Sequence, residues 1–161
     1  MQLSSSLYFL DLRNGINQII SVWESKLLNL PVEVISQRKN SQNRTIKQLI
    51  GHLIDSASNN QQRMVRSQYN PELIFPDYTQ SNDLWIAIQN YQESDWTNLV
   101  SFWKCYNLHI IQIIENVDVS KLNNTWTDFE GNVVTLQEML NGYLEHLKLH
   151  MSEIEELINR E

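Results

Sequence analysis

The sequence predicts an all-α fold, and three observations support that prediction. Apolar residues recur at helical spacing in four long segments. Only three prolines and four glycines are present, which leaves little material for turns. β-Branched residues do not group into the alternating runs that form strands. The chain has 161 residues, and we expect one domain spanning residues 1–161 with a substantial core.

The first two long helices are predicted from their apolar stripes and their boundaries. The first should run over residues 6–28, because Pro31 prevents its continuation. The second should begin after Thr45, which forms a capping-box pattern with Gln48, and should end before Pro71. The predicted inward residues are Leu12, Ile16, Ile19, Trp23 and Leu27 in the first helix, and Ile46, Leu49, Ile50, Leu53, Ala57 and Met64 in the second.

The middle of the chain is predicted to hold a loop, a short helix and a third long helix. Residues 71–80 form the loop, and Ser81 caps the short helix that follows. Ser94 begins the third long helix. Its predicted inward stripe is Trp96, Leu99, Val100, Trp103, Asn107, Ile110, Ile114 and Val117.

The last part of the chain is predicted to be a polar turn followed by the fourth long helix. In the turn, residues 118–132, Trp126 and Phe129 should pack over one end of the helices. Thr135 and Glu138 make a second capping box, which opens the last helix. Its inward residues are Leu136, Met139, Tyr143, Leu147, Ile154 and Leu157. Four long amphipathic helices predict a four-helix bundle.

Charge and composition exclude several classes of partner. The formal net charge is −7, and no basic cluster is longer than Arg38-Lys39, so we expect no binding to nucleic acid. No apolar run approaches the roughly 20 residues that cross a bilayer. The N-terminal residues lack the pattern of a signal peptide, and a cytoplasmic location is expected. The single Cys105 fits a reducing compartment and is expected to be a small buried residue.

Two histidines are the candidate metal ligands that stand out first. His146 and His150 are four residues apart, so on a helix they lie about 40° apart and roughly 6 Å along the axis. They flank the centre of the apolar stripe of the last helix, where two imidazoles are costly unless both find partners. His52, in the second helix, could complete an open site of three imidazoles. The alternative is that these are ordinary core histidines bonded to carbonyl or carboxylate oxygens.

A polar stripe continues from His52 along the second helix. His52, Ser56, Asn59 and Arg63 fall within about 40° of one another at the edge of the apolar face. The stripe predicts a groove that leads away from His52, with Asn59 and Arg63 as candidate substrate-binding residues. Arg63 lies roughly 16 Å along the axis, too far to be a ligand of the same metal. It binds an anionic end of a substrate or makes a surface salt bridge.

Two further positions lie near the candidate ligands or carry the same residue type. Asp55 and Ser56 are candidates for orienting a metal-bound histidine. The alternative for Asp55 is an exposed charge with no role in the site. His109 lies about 110° from the centre of its helix's inward stripe and is therefore left out of the site. Three neutral imidazoles would suit Zn²⁺, Ni²⁺ or Fe²⁺ and would leave a position open for water or substrate.

Three segments also resemble a known family. GHLIDSASNNQQRMVR in the second helix, TLQEMLNGYLEHLKLHMSEI in the fourth and DWTNLVSFWKCYNLHIIQIIENV in the third are similar to the DinB/YfiT-like superfamily. The resemblance covers nearly the whole chain. It implies a four-helix bundle of up-down-down-up type, often a homodimer, with a divalent metal held by His52, His146 and His150. Relatives include metal-dependent thiol transferases and a thiol-dependent isomerase, in which the metal activates a low-molecular-weight thiol.

The chain departs from the family at three places. Arg44-Thr45 replaces a common Trp-Ser pair, Glu153 stands where a Gln is frequent, and Gly142 weakens the helix one turn before His146. None of these changes removes a ligand.

The function predicted from the sequence is a metal-dependent thiol transferase or hydrolase acting on a small electrophilic substrate. The metal would carry most of the activation, because Glu145 and Glu153 are expected to point away from or beside the ligand stripe. The alternative is a non-catalytic, stress-related binding or dimerisation bundle with a structural or adventitious metal site.

Overall fold

The structure, a computed structural model, describes residues 5–76 and 78–160. Four long helices dominate it, and short helices and a small sheet connect them. In chain order the helices are α1 (Ser5–Tyr8), α2 (Leu10–Leu28), α3 (Val32–Gln37), α4 (Ile46–Arg66), α5 (Asn82–Gln89), α6 (Trp96–Glu115) and α7 (Leu136–Asn159). The strands are β1 (Glu72–Ile74), β2 (Thr125–Thr127) and β3 (Val133–Thr135), and 3₁₀ turns occupy Tyr91–Glu93 and Val119–Lys121.

Both predicted capping boxes are confirmed at the helices that carry the candidate ligands. At the start of α4, Thr45 Oγ1 accepts from the Gln48 backbone N–H at 3.3 Å, and Gln48 Oε1 accepts from the Thr45 N–H at 2.9 Å. Thr135 and Glu138 repeat the arrangement at the start of α7, with distances of 3.2 and 2.9 Å. Each box satisfies two backbone donors that the first helical turn leaves free.

Two other helix starts were predicted with different success. Ser81 caps α5, as expected, by accepting from the Leu84 N–H at 3.4 Å. The third long helix begins one residue later than predicted, because the side chain of Asp95 rather than Ser94 accepts from the Asn98 N–H, at 2.9 Å. A carboxylate at this position also interacts favourably with the helix dipole.

Ion pairs show that α2 and α6 run in opposite directions. Arg13, near the start of α2, contacts Glu115, at the end of α6, at 2.6 Å. Glu24, near the end of α2, pairs with Lys104, which lies closer to the start of α6, at 2.8 Å.

By the same reasoning α2 and α7 run in the same direction. Gly15 lies against Leu144, and eleven residues further along each helix Lys26 pairs with Glu155. Helix α4 is antiparallel to α7, because Ser56 and then His52 meet His146 and then His150. Both α2 and α4 pack against α6 and α7. Helices α2 and α4, which are consecutive long helices in the chain, therefore lie diagonally opposite each other in the bundle. The up-down-down-up arrangement is confirmed.

The sheet was not predicted. Strand β1 is parallel to β2, which is antiparallel to β3, and Leu73, Trp126 and Val134 lie side by side in register. Leu73 and Trp126 are buried, so the sheet closes over the core, as expected for Trp126. The same expectation was wrong for Phe129, whose side chain is 45% exposed.

The core is formed by the predicted inward faces of the long helices. Trp103, Ile110 and Ile114 of α6 are fully buried, as are Leu49 and Ile50 of α4. The apolar stripes therefore identified the packed faces correctly. No helix in residues 5–76 or 78–160 is both long enough and apolar enough to cross a membrane.

Cys105 lies on the outer side of α6 and is exposed, so the expectation that it is buried was wrong. Its neighbour Trp103 occupies the inward position of that turn. His109 is also exposed, as predicted.

Candidate metal centre

The three predicted ligands converge between α4 and α7. His52 lies in the second turn of α4, and His146 and His150 are one turn apart on the antiparallel α7. Each offers a ring nitrogen, and these three nitrogens all lie within 4.8 Å of one another. His52 and His150 are buried, and His146 is half-buried. The side chains are therefore close enough to contact one ion.

The two histidines of α7 point the same atoms at each other. Nε2 of His146 and Nε2 of His150 are 3.1 Å apart. Their Nδ1 atoms face outwards: His146 Nδ1 lies 3.4 Å from Ser56 Oγ, and His150 Nδ1 lies 3.0 Å from Glu153 Oε2. A neutral imidazole that donates from Nδ1 presents the Nε2 lone pair, which is the usual arrangement of a metal-bound histidine.

A buried atom of His52 fits the same interpretation. Its Nδ1 is shielded from solvent and has no hydrogen-bond partner among the described residues. A buried ring nitrogen without a partner is costly, and an ion or a water molecule would satisfy it. Three imidazole nitrogens are a donor set that Zn²⁺, Ni²⁺ and Fe²⁺ accept. The residues therefore fit a divalent transition metal.

Burial keeps two of these imidazoles neutral. Desolvation, followed by repulsion from His150 and His146, lowers the pKa of His52 to about 3. Desolvation, followed by repulsion from His150, lowers the pKa of His146 to about 4. The neutral form is the one that binds metal, so both residues are ready to act as ligands at pH 7.

Glu153 belongs to the site, which the sequence reasoning missed. Glu153 was expected to point away from or beside the ligand stripe; it lies beside the stripe, and its carboxylate contacts His150. The signal was the spacing of three residues, which places both side chains on one face of α7. The contact holds the His150 ring in one orientation. The sequence predicted such a role for Asp55 and Ser56, and Ser56 has a matching contact with His146.

Asp55 lies beside the site but bonds elsewhere. Its Oδ1 accepts from the Tyr91 hydroxyl at 2.7 Å and from Gln89 Nε2 at 2.8 Å, so the predicted contact with a histidine is not formed. Burial raises the pKa of this carboxyl, against the two hydrogen bonds, which lower it. The Tyr91 ring fits against Gly51, where an added Cβ would lie 2.2 Å from ring carbons.

The predicted groove is present and begins at His52. It is a cleft of about 290 Å³ whose lining residues come from α4, from the connection before α5, from α5 itself and from the turn before β3. They are His52, Ser56, Asn59, Arg63, Pro76, Gln80, Asn82 and Phe129. Asn59 donates to Gln80, so a helix residue and a loop residue join across the cleft.

Arg63 lies in the same cleft and makes no salt bridge within the described part of the chain. Its guanidinium carbon is 4.2 Å from the centroid of the Trp126 ring, a cation–π contact. Its Nε is buried without a hydrogen-bond partner among the described residues. Burial lowers the pKa of the guanidinium, while Asp128 and Tyr78 raise it. The surface salt bridge considered for Arg63 is therefore not what the structure contains.

The chain belongs to the DinB superfamily, whose family model matches residues 20–154. This places the bundle in a defined class of proteins.

A solved structure has a similar fold. It is YfiT from Bacillus subtilis, described as a probable metal-dependent hydrolase with an unusual four-helix bundle topology. The two chains superpose with a TM-score of 0.80 at 15% sequence identity, over 91% of this chain and 83% of that one. At this identity the likeness concerns the fold. A comparison with curated proteins found no match.

Proposed function

We propose that this protein is a metal-dependent enzyme that uses His52, His146 and His150 to hold one divalent transition metal. A water or thiol activated there would attack a small electrophilic substrate bound in the cleft. The observation that carries the proposal is the convergence of three ring nitrogens at the head of that cleft. When bound, the metal would lower the pKa of a water ligand towards about 7 and would hold a thiol ligand as the thiolate.

Two residues of the chain orient the histidines. Glu153 holds the proton on Nδ1 of His150, and Ser56 positions His146 in the same way. Both contacts direct Nε2 inwards, towards the position that the ion would occupy. The Glu153 carboxylate is engaged with His150, so it is not free to serve as a general base.

The description of YfiT as a probable metal-dependent hydrolase favours water as the nucleophile, and the family resemblance keeps a low-molecular-weight thiol as the second candidate. A homodimer is also proposed on the resemblance alone.

Metal content is the first test. Protein purified without a histidine tag is analysed by plasma mass spectrometry, as wild type, as the double variant His146→Ala/His150→Ala, and as His109→Ala. We expect about one equivalent of a transition metal in the wild type and in His109→Ala, whose histidine is exposed on α6, and none in the double variant. Absence of metal after incubation with Zn²⁺, Ni²⁺ or Fe²⁺ would overturn the proposal.

A second measurement separates the enzyme from a non-catalytic bundle. The metal-loaded protein is assayed for hydrolysis of activated esters and amides, and for transfer of small thiols to electrophiles. Turnover that disappears with the metal supports an enzyme. A full complement of metal with no turnover and no exchangeable water ligand would favour the non-catalytic alternative.

A further inference from the structure

Arg63 is a half-buried cation that forms no ion pair with a described residue. Its ring contact is with Trp126, and its Nε has no hydrogen-bond partner in the described residues. Removing a guanidinium from water is costly unless its donors are satisfied. Hydrogen bonds to a bound ligand would satisfy them.

Asp128, the carboxylate with the largest electrostatic effect on Arg63, already accepts hydrogen bonds from other residues. Asp128 raises the pKa of Arg63, but its carboxylate accepts hydrogen bonds within its own turn. The donors are the backbone N–H groups of Glu130 and Asn132 and the side-chain amide of Asn132. Tyr78, the other group acting on Arg63, stacks on Trp85. The guanidinium fork therefore stays available to a ligand.

The cleft joins Arg63 to the candidate metal centre. Arg63 follows His52 by three turns of α4, a rise of roughly 16 Å, and Ser56 and Asn59 lie between them. Among the described lining residues Arg63 is the sole cation, and none is a carboxylate. Although the chain has a net charge of −7, the charge that lines this cleft favours the binding of anions.

We propose that Arg63 is an anion subsite, and that the substrate carries a carboxylate or phosphate group separated by a spacer from the atom that reacts. This rests on the proposed function, since the reacting atom is placed at the three histidines. Arg63 would bind the anion with its planar fork, and Trp126 would hold the guanidinium in place. The spacing would select substrates by length as well as by charge.

The test uses thiols of graded length on the cobalt-loaded protein. Three series are titrated, ω-mercaptoalkanoates, ω-mercaptoalkyl phosphates and neutral ω-mercaptoalkanols, and binding is followed by the thiolate-to-cobalt absorption band. At one chain length we expect the acid or the phosphate to bind at least about tenfold more tightly than the alcohol. The two anionic series distinguish carboxylate from phosphate.

Matched variants assign the preference to Arg63. Arg63→Gln should bind the alcohols as the wild type does and lose the preference for anions, whereas Arg63→Lys should keep part of it. Arg66→Gln should keep all of it, because Arg66 is stacked on Phe75 and does not line the cleft. Equal affinity for acids and alcohols at every length, or a preference that survives in Arg63→Gln, would overturn the subsite.

A failure of the metal site gives a different result. If cobalt does not bind, the proposed function fails, and if cobalt binds but no thiol produces the band, the thiol as nucleophile is overturned. The subsite is then tested on metal-free protein by the NMR signal of Arg63 Nε–H, assigned by its absence from Arg63→Gln. A shift with butanoate or inorganic phosphate but not with butanol supports an anion subsite, and no shift overturns it.

Discussion

Glu153 and His150 form a contact in which a carboxylate oxygen lies 3.0 Å from the ring nitrogen that faces away from the other histidines. The two residues are three positions apart on α7, so the contact is set by the helix itself.

We expect Glu153→Ala to lower metal affinity by about 10- to 100-fold, because His150 loses the group that fixes its orientation. Glu153→Gln, which keeps an acceptor oxygen, should lose less. Glu145→Gln is the control, since Glu145 is exposed and pairs with Lys148. Affinities are measured by competition with a chromophoric chelator. Equal affinities for Glu153→Ala and wild type would show that the contact does not support the ligand.

Gly51 and Gly142 should respond in opposite directions to substitution by alanine. A Cβ at Gly51 would lie 2.2 Å from ring carbons of Tyr91, so the ring must move and weaken its bond to Asp55. We expect Gly51→Ala to lower the free energy of unfolding by about 1–3 kcal/mol. At Gly142 a Cβ meets nothing within 4 Å, so Gly142→Ala should raise it by up to about 1 kcal/mol. Denaturant unfolding measures both, and a stabilised Gly51→Ala would contradict the packing.

Asp55 should make the stability of the metal-free protein depend on pH. Burial raises the pKa of Asp55 in the folded protein above the usual value of 3.8. The protonated carboxyl therefore contributes favourably to the free energy of unfolding at pH values below 3.8. The contribution is lost as the pH rises through the folded pKa. The stability of Asp55→Asn relative to wild type should therefore increase as the pH rises from about 4 towards neutrality. Urea unfolding in the presence of a chelator measures this difference.

Tyr91→Phe provides the check on Asp55. It removes a hydrogen bond that lowers the pKa of Asp55. The stability difference between Asp55→Asn and the protein with Asp55 should therefore develop at higher pH when Tyr91 is replaced. A stability difference between Asp55→Asn and wild type that is constant with pH would contradict the assignment.

A buried pair links α6 to α7 across the bundle. The Tyr143 hydroxyl donates to Asn107 Oδ1 at 2.8 Å, and Asn107 Nδ2 donates to the Trp103 carbonyl at 2.8 Å. Tyr143→Phe leaves the Asn107 oxygen without this donor, and we expect a loss of about 1–3 kcal/mol in unfolding free energy. A double-mutant cycle with Asn107→Leu should give a coupling of at least about 0.5 kcal/mol. Additive effects would show that the bond contributes nothing.

The helices and the faces that carry the three histidines could be predicted because both depend on local periodicity. The Thr45 and Thr135 capping boxes fixed the starts of α4 and α7, and with them the register that brings His146 and His150 to one side. The direction of each helix depends on contacts far apart in sequence. That part came from the family resemblance, and Lys26–Glu155 and Arg13–Glu115 now show it directly.

The sheet and the far wall of the cleft could not be predicted in the same way. Strands of three residues are too short to show alternation, and β1 pairs with a segment about fifty residues away. The prediction that Cys105 is buried was wrong because it relied on the residue type. The position of Cys105 on the outer side of α6 leaves it exposed.

The two walls of the cleft have separate origins in the chain. Helix α4 supplies one wall, which includes His52, whereas Pro76, Gln80 and Phe129 belong to connecting segments that share no side chain with the three-histidine cluster. Loops tolerate replacement better than packed helices do. Under the proposed function, a library randomised at these loop positions should therefore alter the substrate range while the metal stoichiometry remains constant.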